Sequence, residues 1–171
     1  MNEQAINEIA HTPSSKPLAG GDSQQFLTFT LSTEEYGVDI MMVREVKGWT
    51  ETTRLPNTPE YIRGVLNLRG IIIPIFDLRA RFTGTLTNPD AKNVVVILAV
   101  GERTIGILAD TVSDILTVAS EEIKPAPETE ERIEQRFVSG LIAVEGRMVV
   151  LLDISKLLQP HDLEFANQQL N

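Results

Sequence analysis

The sequence predicts an all-β fold of two small barrels, each of about five strands, packed on a shared hydrophobic core. Three observations carry this. From Phe26 onward the chain is a series of short β-branched or alternating runs: FLTFTL, YGVDI, VLNL, IIIPIF, VVVILAV, TIGILA, FVSGLIAV and MVVLL. Between them sit STEE, NTP, LRG, VGER, PAP and VEG, segments with the chemistry of tight turns. The second half of the chain also repeats the first. Eight or more short strands with tight connections belong to an antiparallel barrel or sandwich.

Taken in order, residues 1–22 are polar, hold Pro13, Pro17, Gly20 and Gly21 and show no period, which predicts a flexible arm. PEYIRG is read as one helical turn with Pro59 at its first position. Pro74 interrupts IIIPIF and calls for an edge or a bulge, because proline cannot donate to a ladder. DLRARF and DISKLL each place an Asp cap before a short amphipathic turn. Residues 159–171 are a polar tail that extends the last helix in this reading.

The repeat has two offsets. At 69 residues, QFLTFTLSTEEYGVDIMMVREV lies over VVVILAVGERTIGILADTVSDI, so that Gly37 matches Gly106, Glu45 matches Asp114 and Val46 matches Ile115. At 76 residues, YIRGVLNLRGIIIPIFDLRARF lies over FVSGLIAVEGRMVVLLDISKLL, so that Gly64 matches Gly140, Gly70 matches Gly146 and Asp77 matches Asp153. The change of offset implies a seven-residue insertion in the second copy, supplied by the acidic stretch PETEERIEQR. Two copies of about 67 residues are each marginal alone and gain a core by packing together. The expected organisation is an arm at 1–22, a folded unit at 23–158 with lobes at about 23–91 and 92–158, and a tail at 159–171. Strand exchange near the lobe ends makes the cut approximate.

Composition narrows the function. A net charge of −9 and a pI near 4.7 oppose a general nucleic-acid binder or a polybasic membrane protein. The absence of cysteine removes disulfides, thiolate metal sites and a cysteine nucleophile. His11 and His161 lie near the chain ends, outside the predicted barrels. The N-terminus lacks a basic start followed by an apolar stretch, and the longest apolar run, Val94–Val100, is seven residues against the ~20 a spanning helix needs. The expected compartment is the cytoplasm. Lobe 1 is nearly neutral, at −1, while lobe 2 carries −4 and the two tails −2 each.

Enzyme signatures are weak. No Gly-rich phosphate loop occurs. Asp110 and Asp114 could share a helix face as paired carboxylates, but a solvated acidic surface is the simpler reading. The run Glu128–Glu134 reads as a solvated loop rather than a cation site. Two stretches stand out because the copies differ there. Gly64-Val-Leu-Asn-Leu-Arg-Gly70 becomes Gly140-Leu-Ile-Ala-Val-Glu-Gly146, so Asn67 and Arg69 are not demanded by the barrel itself. Arg69 is either a contact residue or half of an internal ion pair, with Glu45 as its candidate partner. Met41-Met-Val-Arg-Glu-Val-Lys47 offers two adaptable methionines, and Met41, Met42, Val43 and Val46 read either as contacts or as ordinary core.

FLTFTLSTEEYGVDIMMVREV, NTPEYIRGVLNLRGIIIPIFDLR, TIGILADTVSDIL and IKPAPE together resemble the CheW family of chemotaxis coupling proteins, from about Gln25 to Leu158. The resemblance implies two tandem five-stranded SH3-like barrels on a common core, with short helices and a C-terminal helix. Of the superfamily's three contexts, the free-standing adaptor is expected here, since the other two sit in longer chains with further signalling domains. It implies a non-catalytic protein without cofactor, bridging the cytoplasmic tips of chemoreceptors to the histidine kinase CheA. Partners implied are the regulatory domain of CheA and the receptor tip, with no nucleic acid and no direct membrane insertion. Its implied location is cytoplasmic, at membrane-associated receptor arrays. By motif match, the resemblance carries partner-binding roles to Ile40, Val43, Glu45, Val46, Gly64, Arg69 and Ile115. The competing expectation is a small-molecule regulator that uses a cleft between the lobes.

Overall fold

Alternating runs closed by turn residues become ten strands in the computed structural model, which describes residues 22–127 and 137–158. The first copy supplies β1 (Ser23–Leu31), β2 (Glu34–Asp39), β3 (Val43–Gly48), β4 (Ile62–Leu68) and β5 (Ile71–Asp77). The second supplies β6 (Val94–Val100), β7 (Arg103–Ala109), β8 (Thr111–Ala119), β9 (Val138–Val144) and β10 (Arg147–Leu152). Helix α1 (Leu78–Thr83) follows β5 and α2 (Ile154–Leu157) follows β10. Both begin as the Asp caps predict. Asp77 accepts from the Ala80 N–H at 3.2 Å, and Asp153 from the Lys156 N–H at 3.3 Å.

The strands pair across the copies. One sheet runs β8-β1-β2-β10-β9 and the other β3-β6-β7-β5-β4. Each therefore takes the first two strands of one copy and the last three of the other. Exchanging the copies maps one order onto the other. The boundary at 91/92 divides the repeats but not the barrels. Within each sheet a parallel pairing joins the copies, Leu151 opposite Gly37 in one and Ile75 opposite Gly106 in the other. These are the pairs the two offsets superpose. A Cβ on Gly106 would lie 2.5 Å from Ile75 Cδ1, and one on Gly37 2.9 Å from Leu151 Cδ2, so the glycines make room for the strand that crosses over.

Each sheet closes through a matching bridge. Thr53, beyond β3, exchanges backbone hydrogen bonds with Val65 of β4 at 3.0 and 2.8 Å. Lys124, beyond β8, does the same with Leu141 of β9 at 2.9 and 2.8 Å. The first barrel (β1, β2, β8, β9, β10) is filled by Phe26, Leu116, Val118, Ile142, Val149 and Leu151. The second (β3 to β7) is filled by Leu66, Ile73, Ile75, Val95, Ile97 and Leu108. A third and larger cluster, including Leu27, Phe29 and Val38 from one sheet and Phe76, Leu98 and Ile107 from the other, joins the barrels. Much of the space that could have formed a ligand cleft between lobes is packed as this core.

Three local expectations are revised. PEYIRG forms a hydrogen-bonded turn, Ile62 N–H to Pro59 C=O at 3.0 Å, and then enters β4 instead of forming a helix. Asp110 and Asp114 share no helix face: Asp110 lies at the bend between β7 and β8, and Asp114 within β8. Pro74 lies in an interior strand. Val65 spends its own N–H and C=O on Thr53, so Pro74, opposite Val65, forms a non-hydrogen-bonded pair whose nitrogen faces β7. The β5–β7 pairing starts only at Ile75, so Pro74 occupies a local edge and no ladder bond is lost. The predicted arm, the acidic run Glu128–Glu134 and the tail at 159–171 with its helical extension lie outside the described residues.

Candidate docking face

Residues of β3 and the β4–β5 hairpin meet where the second barrel closes. The hairpin turns on two residues, Arg69 and Gly70, both with positive φ (51° and 85°), the pattern of a type I′ turn between twisted strands. Its repeat, Glu145-Gly146, has φ of 48° and 78°. The backbone is the same and the charge is opposite, so the turn itself does not require arginine. Asn67 accepts from the Gly70 N–H at 2.9 Å and pins the turn.

From this tip the Arg69 guanidinium reaches Glu45 on β3 and forms an ion pair. The partners differ in exposure: the Arg69 side chain is 66% exposed and that of Glu45 9%. Arg69 is therefore a member of an internal ion pair, as one reading of the sequence had it, and at the same time a surface residue. Beside it Ile71 (57%) and Ile72 (38%) are exposed apolar side chains on the same hairpin. Together they form a mixed-charge, partly apolar face suited to protein contact.

The seven candidate residues divide by burial. Arg69 is on the surface. Ile40, Val43 and Ile115 are half-buried and pack against the core between the barrels. Glu45, Val46 and Gly64 are buried. Val46 contributes to the shared core, so any contact role for it acts through what it supports. Gly64 has φ of 125°, and a Cβ there would sit 2.3 Å from the Thr53 carbonyl oxygen. Of the methionines, Met41 is 77% exposed, in the 3₁₀ turn Ile40–Met42, while Met42 is half-buried against the core.

Other polar residues join the elements around the barrels, and their contacts were not read from the sequence. Asp110 accepts from the Ser32 N–H at 2.7 Å, pairs with Arg79 of α1 at 2.5 Å and accepts from Asn93 at 3.4 Å, so it ties the β1–β2 turn to the helix after β5. Arg81 places its guanidinium carbon 5.1 Å from the Tyr61 ring centre and 5.0 Å from that of Phe137. Tyr61 and Phe137 are matched by the 76-residue offset, the signal that could have paired them. Charge alternation along a strand gives no comparable cue for Asp110.

Arg69→Glu is expected to lower stability by about 1–2 kcal/mol, seen as a lower urea midpoint at unchanged slope. The new carboxylate would face Glu45, whose own charge is poorly hydrated, while the exposure of position 69 lets water screen the pair. A midpoint equal to that of the parent protein would show that the ion pair contributes nothing.

The fold is a double barrel that exposes a mixed-charge, partly apolar hairpin. The comparisons name its family. The model of the CheW-like domain matches residues 25–161. The chain is 46% identical to the chemotaxis protein CheW of Klebsiella aerogenes, over 84% of this chain and 87% of that one. It is 37% identical to the chemotaxis protein CheW of Rhizobium meliloti, over 91% and 99%. The crystal structure of the scaffolding protein TtCheW from Thermoanaerobacter tengcongensis superposes with a TM-score of 0.75 at 28% identity, covering 89% of this chain and 96% of that one. The chain belongs to the CheW family, and its role is that of a chemotaxis coupling adaptor.

Proposed function

We propose that this protein is a non-catalytic bridge between the cytoplasmic signalling tips of chemoreceptors and the regulatory domain of the histidine kinase CheA, so that receptor state controls kinase activity. Family membership supports the reading, and one observation carries it to particular residues. The second barrel exposes Arg69, Ile71 and Ile72 on a hairpin whose repeat manages with Glu145. A charge that the turn itself does not demand and an exposed apolar pair beside it suit a partner, the charge for register and the apolar pair for anchoring. Ile40, Val43 and Ile115 supply half-buried apolar surface, and Glu45, Val46 and Gly64 hold the face in shape. None of the described helices is long and apolar enough to cross a membrane. The proposed location is the cytoplasm, with recruitment to receptor arrays through contact alone.

Co-sedimentation tests the proposal. The protein is expected to pellet with a receptor signalling fragment, and to carry CheA with it, at about 50 μM. Retention of neither partner at that concentration would end the proposal.

A further inference from the structure

Where the second barrel closes, a cavity of about 280 Å³ lies between the segment after β3 and the loop 84–93 that follows α1. Trp49, Glu51, Arg54, Arg63 and Asn88 contribute to its lining. The walls are tied together. The Trp49 N–H donates to the Asn93 C=O at 3.0 Å, and the Thr52 hydroxyl donates to the Arg63 C=O at 2.7 Å. Arg63 is the informative residue. Its side chain is 20% exposed, and its ion pair with Asp77 Oδ2 spans 4.0 Å, beyond hydrogen-bond reach. Asp77 already has its donors: Oδ1 accepts the Ala80 N–H at 3.2 Å and the Thr87 hydroxyl at 2.8 Å, and Oδ2 accepts the Thr87 N–H at 2.8 Å. Asp77 therefore balances the charge of Arg63 without using its N–H groups. Neither Arg63 nor Arg54 donates a side-chain hydrogen bond to any of the described residues.

We propose that this cavity binds a small monocarboxylate, its carboxylate on the Arg63 and Arg54 guanidinium groups and its apolar body against the Trp49 indole. Geometry, charge, size and the repeat favour that ligand. Guanidinium N–H groups in a half-buried wall call for an oxyanion acceptor, and their planar fork matches a carboxylate. Glu51 in the same lining leaves one positive charge in excess, which suits a monoanion and opposes a dianion such as a phosphomonoester. The volume lies just below the range of drug-sized ligand pockets, right for a small organic acid. In the repeat, Trp49 and Arg54 match Val118 and Ile123 at the 69-residue offset, and Arg63 matches Ser139 at the 76-residue offset. The first barrel closes through Lys124 and Leu141 with those residues in place, so closure does not itself demand an indole or a guanidinium there. Arg63 stands at the start of β4 and Arg69 just beyond its end, about 20 Å apart along the strand. The site is thus separate from the Arg69 hairpin, and its failure would leave the adaptor reading untouched.

The probe is benzoate, titrated into the full ¹⁵N-labelled chain. Trp49 is the only tryptophan, so the single indole N–H resonance reports on this cavity. Saturable shifts are expected there and at the amides of Thr52, Arg63 and Asn88, with a Kd of about 1 mM. Benzamide, the same body without the charge, is expected to bind at least about tenfold more weakly. Arg63→Gln is expected to weaken benzoate by at least about tenfold as well. Because that substitution also leaves Asp77 without its counter-charge, two variants at exposed positions keep the test independent of folding. Arg54→Gln is expected to weaken benzoate about threefold, and Glu51→Gln to tighten it about threefold, since removing a like charge favours an anion. Tighter binding is not a result that a damaged fold produces. Three results would overturn the proposal: no saturable shift at about 20 mM benzoate, benzamide binding as well as benzoate, or a Kd unchanged in both Arg54→Gln and Glu51→Gln.

Discussion

Gly64→Ala is expected to cost at least about 3 kcal/mol and to disrupt the second barrel. Two independent penalties add. A φ of 125° lies where side-chain-bearing residues are strained, and the new Cβ would fall 2.3 Å from the carbonyl oxygen of Thr53, 2.7 Å from its carbonyl carbon and 3.1 Å from Arg54 Cα. All three are backbone atoms, so no rotamer change relieves the clash. The segment that must move is the one whose hydrogen bonds with Val65 close the barrel. Gly70→Ala is the control. It also has a positive φ, 85°, but nothing lies within 4 Å, and it is expected to cost about 1 kcal/mol. Thermal denaturation of both variants separates strain alone from strain plus collision. A melting temperature for Gly64→Ala within about 3 °C of that for Gly70→Ala would refute the collision. Partner binding is then expected to fall with Gly64→Ala because Glu45 and Arg69 lose their relative placement, not because a contact at Gly64 is lost.

What could be read in advance followed from local chemistry. Alternation, turn residues and Asp caps placed eight of the ten strands and both helices, since each is decided within a few residues; β3 and β8, whose runs are broken by charged or polar residues, were not among them. The repeat located equivalent positions, and the structure uses them: Gly37 and Gly106 face equivalent strands, and Asp77 and Asp153 cap equivalent helices. Periodicity says that a segment is a strand and which face is apolar, but not which strand lies beside it. For that reason the exchange of β1 and β2 with β6 and β7 went unassigned. The Glu45–Arg69 pair was legible because the copies differ at Arg69, whereas the contact of buried Thr87 with Asp77, its N–H donating to Oδ2 and its hydroxyl to Oδ1, was not. Its two residues are ten apart in a connection with no period, and a threonine in a loop carries no mark of burial. Burial also separates residues that a motif groups together: Gly64 and Arg69 belong to the same GVLNLRG stretch, but one is buried and the other meets solvent.

The pseudo-equivalent aspartates give the sharpest test of how far the two barrels have diverged. Asp77→Ala is expected to cost about 3–5 kcal/mol and Asp153→Ala about 1 kcal/mol. Both lose a helix cap. Only Asp77 is wholly buried, and its removal also strands the Thr87 N–H and hydroxyl and leaves Arg63, 4.0 Å away, without its carboxylate. Asp153 is 31% exposed at its side chain, so water replaces what it gives up. The two costs are additive only if the ends act separately, which the distinct interior clusters of the two barrels favour. Urea midpoints for the single and double variants decide the matter. Equal costs at the two positions would mean that Thr87 adds nothing beyond the cap. A large gap, with Thr87→Val recovering part of the Asp77→Ala loss when combined with it, would show that residues 84–93 are an integral closure of the second barrel.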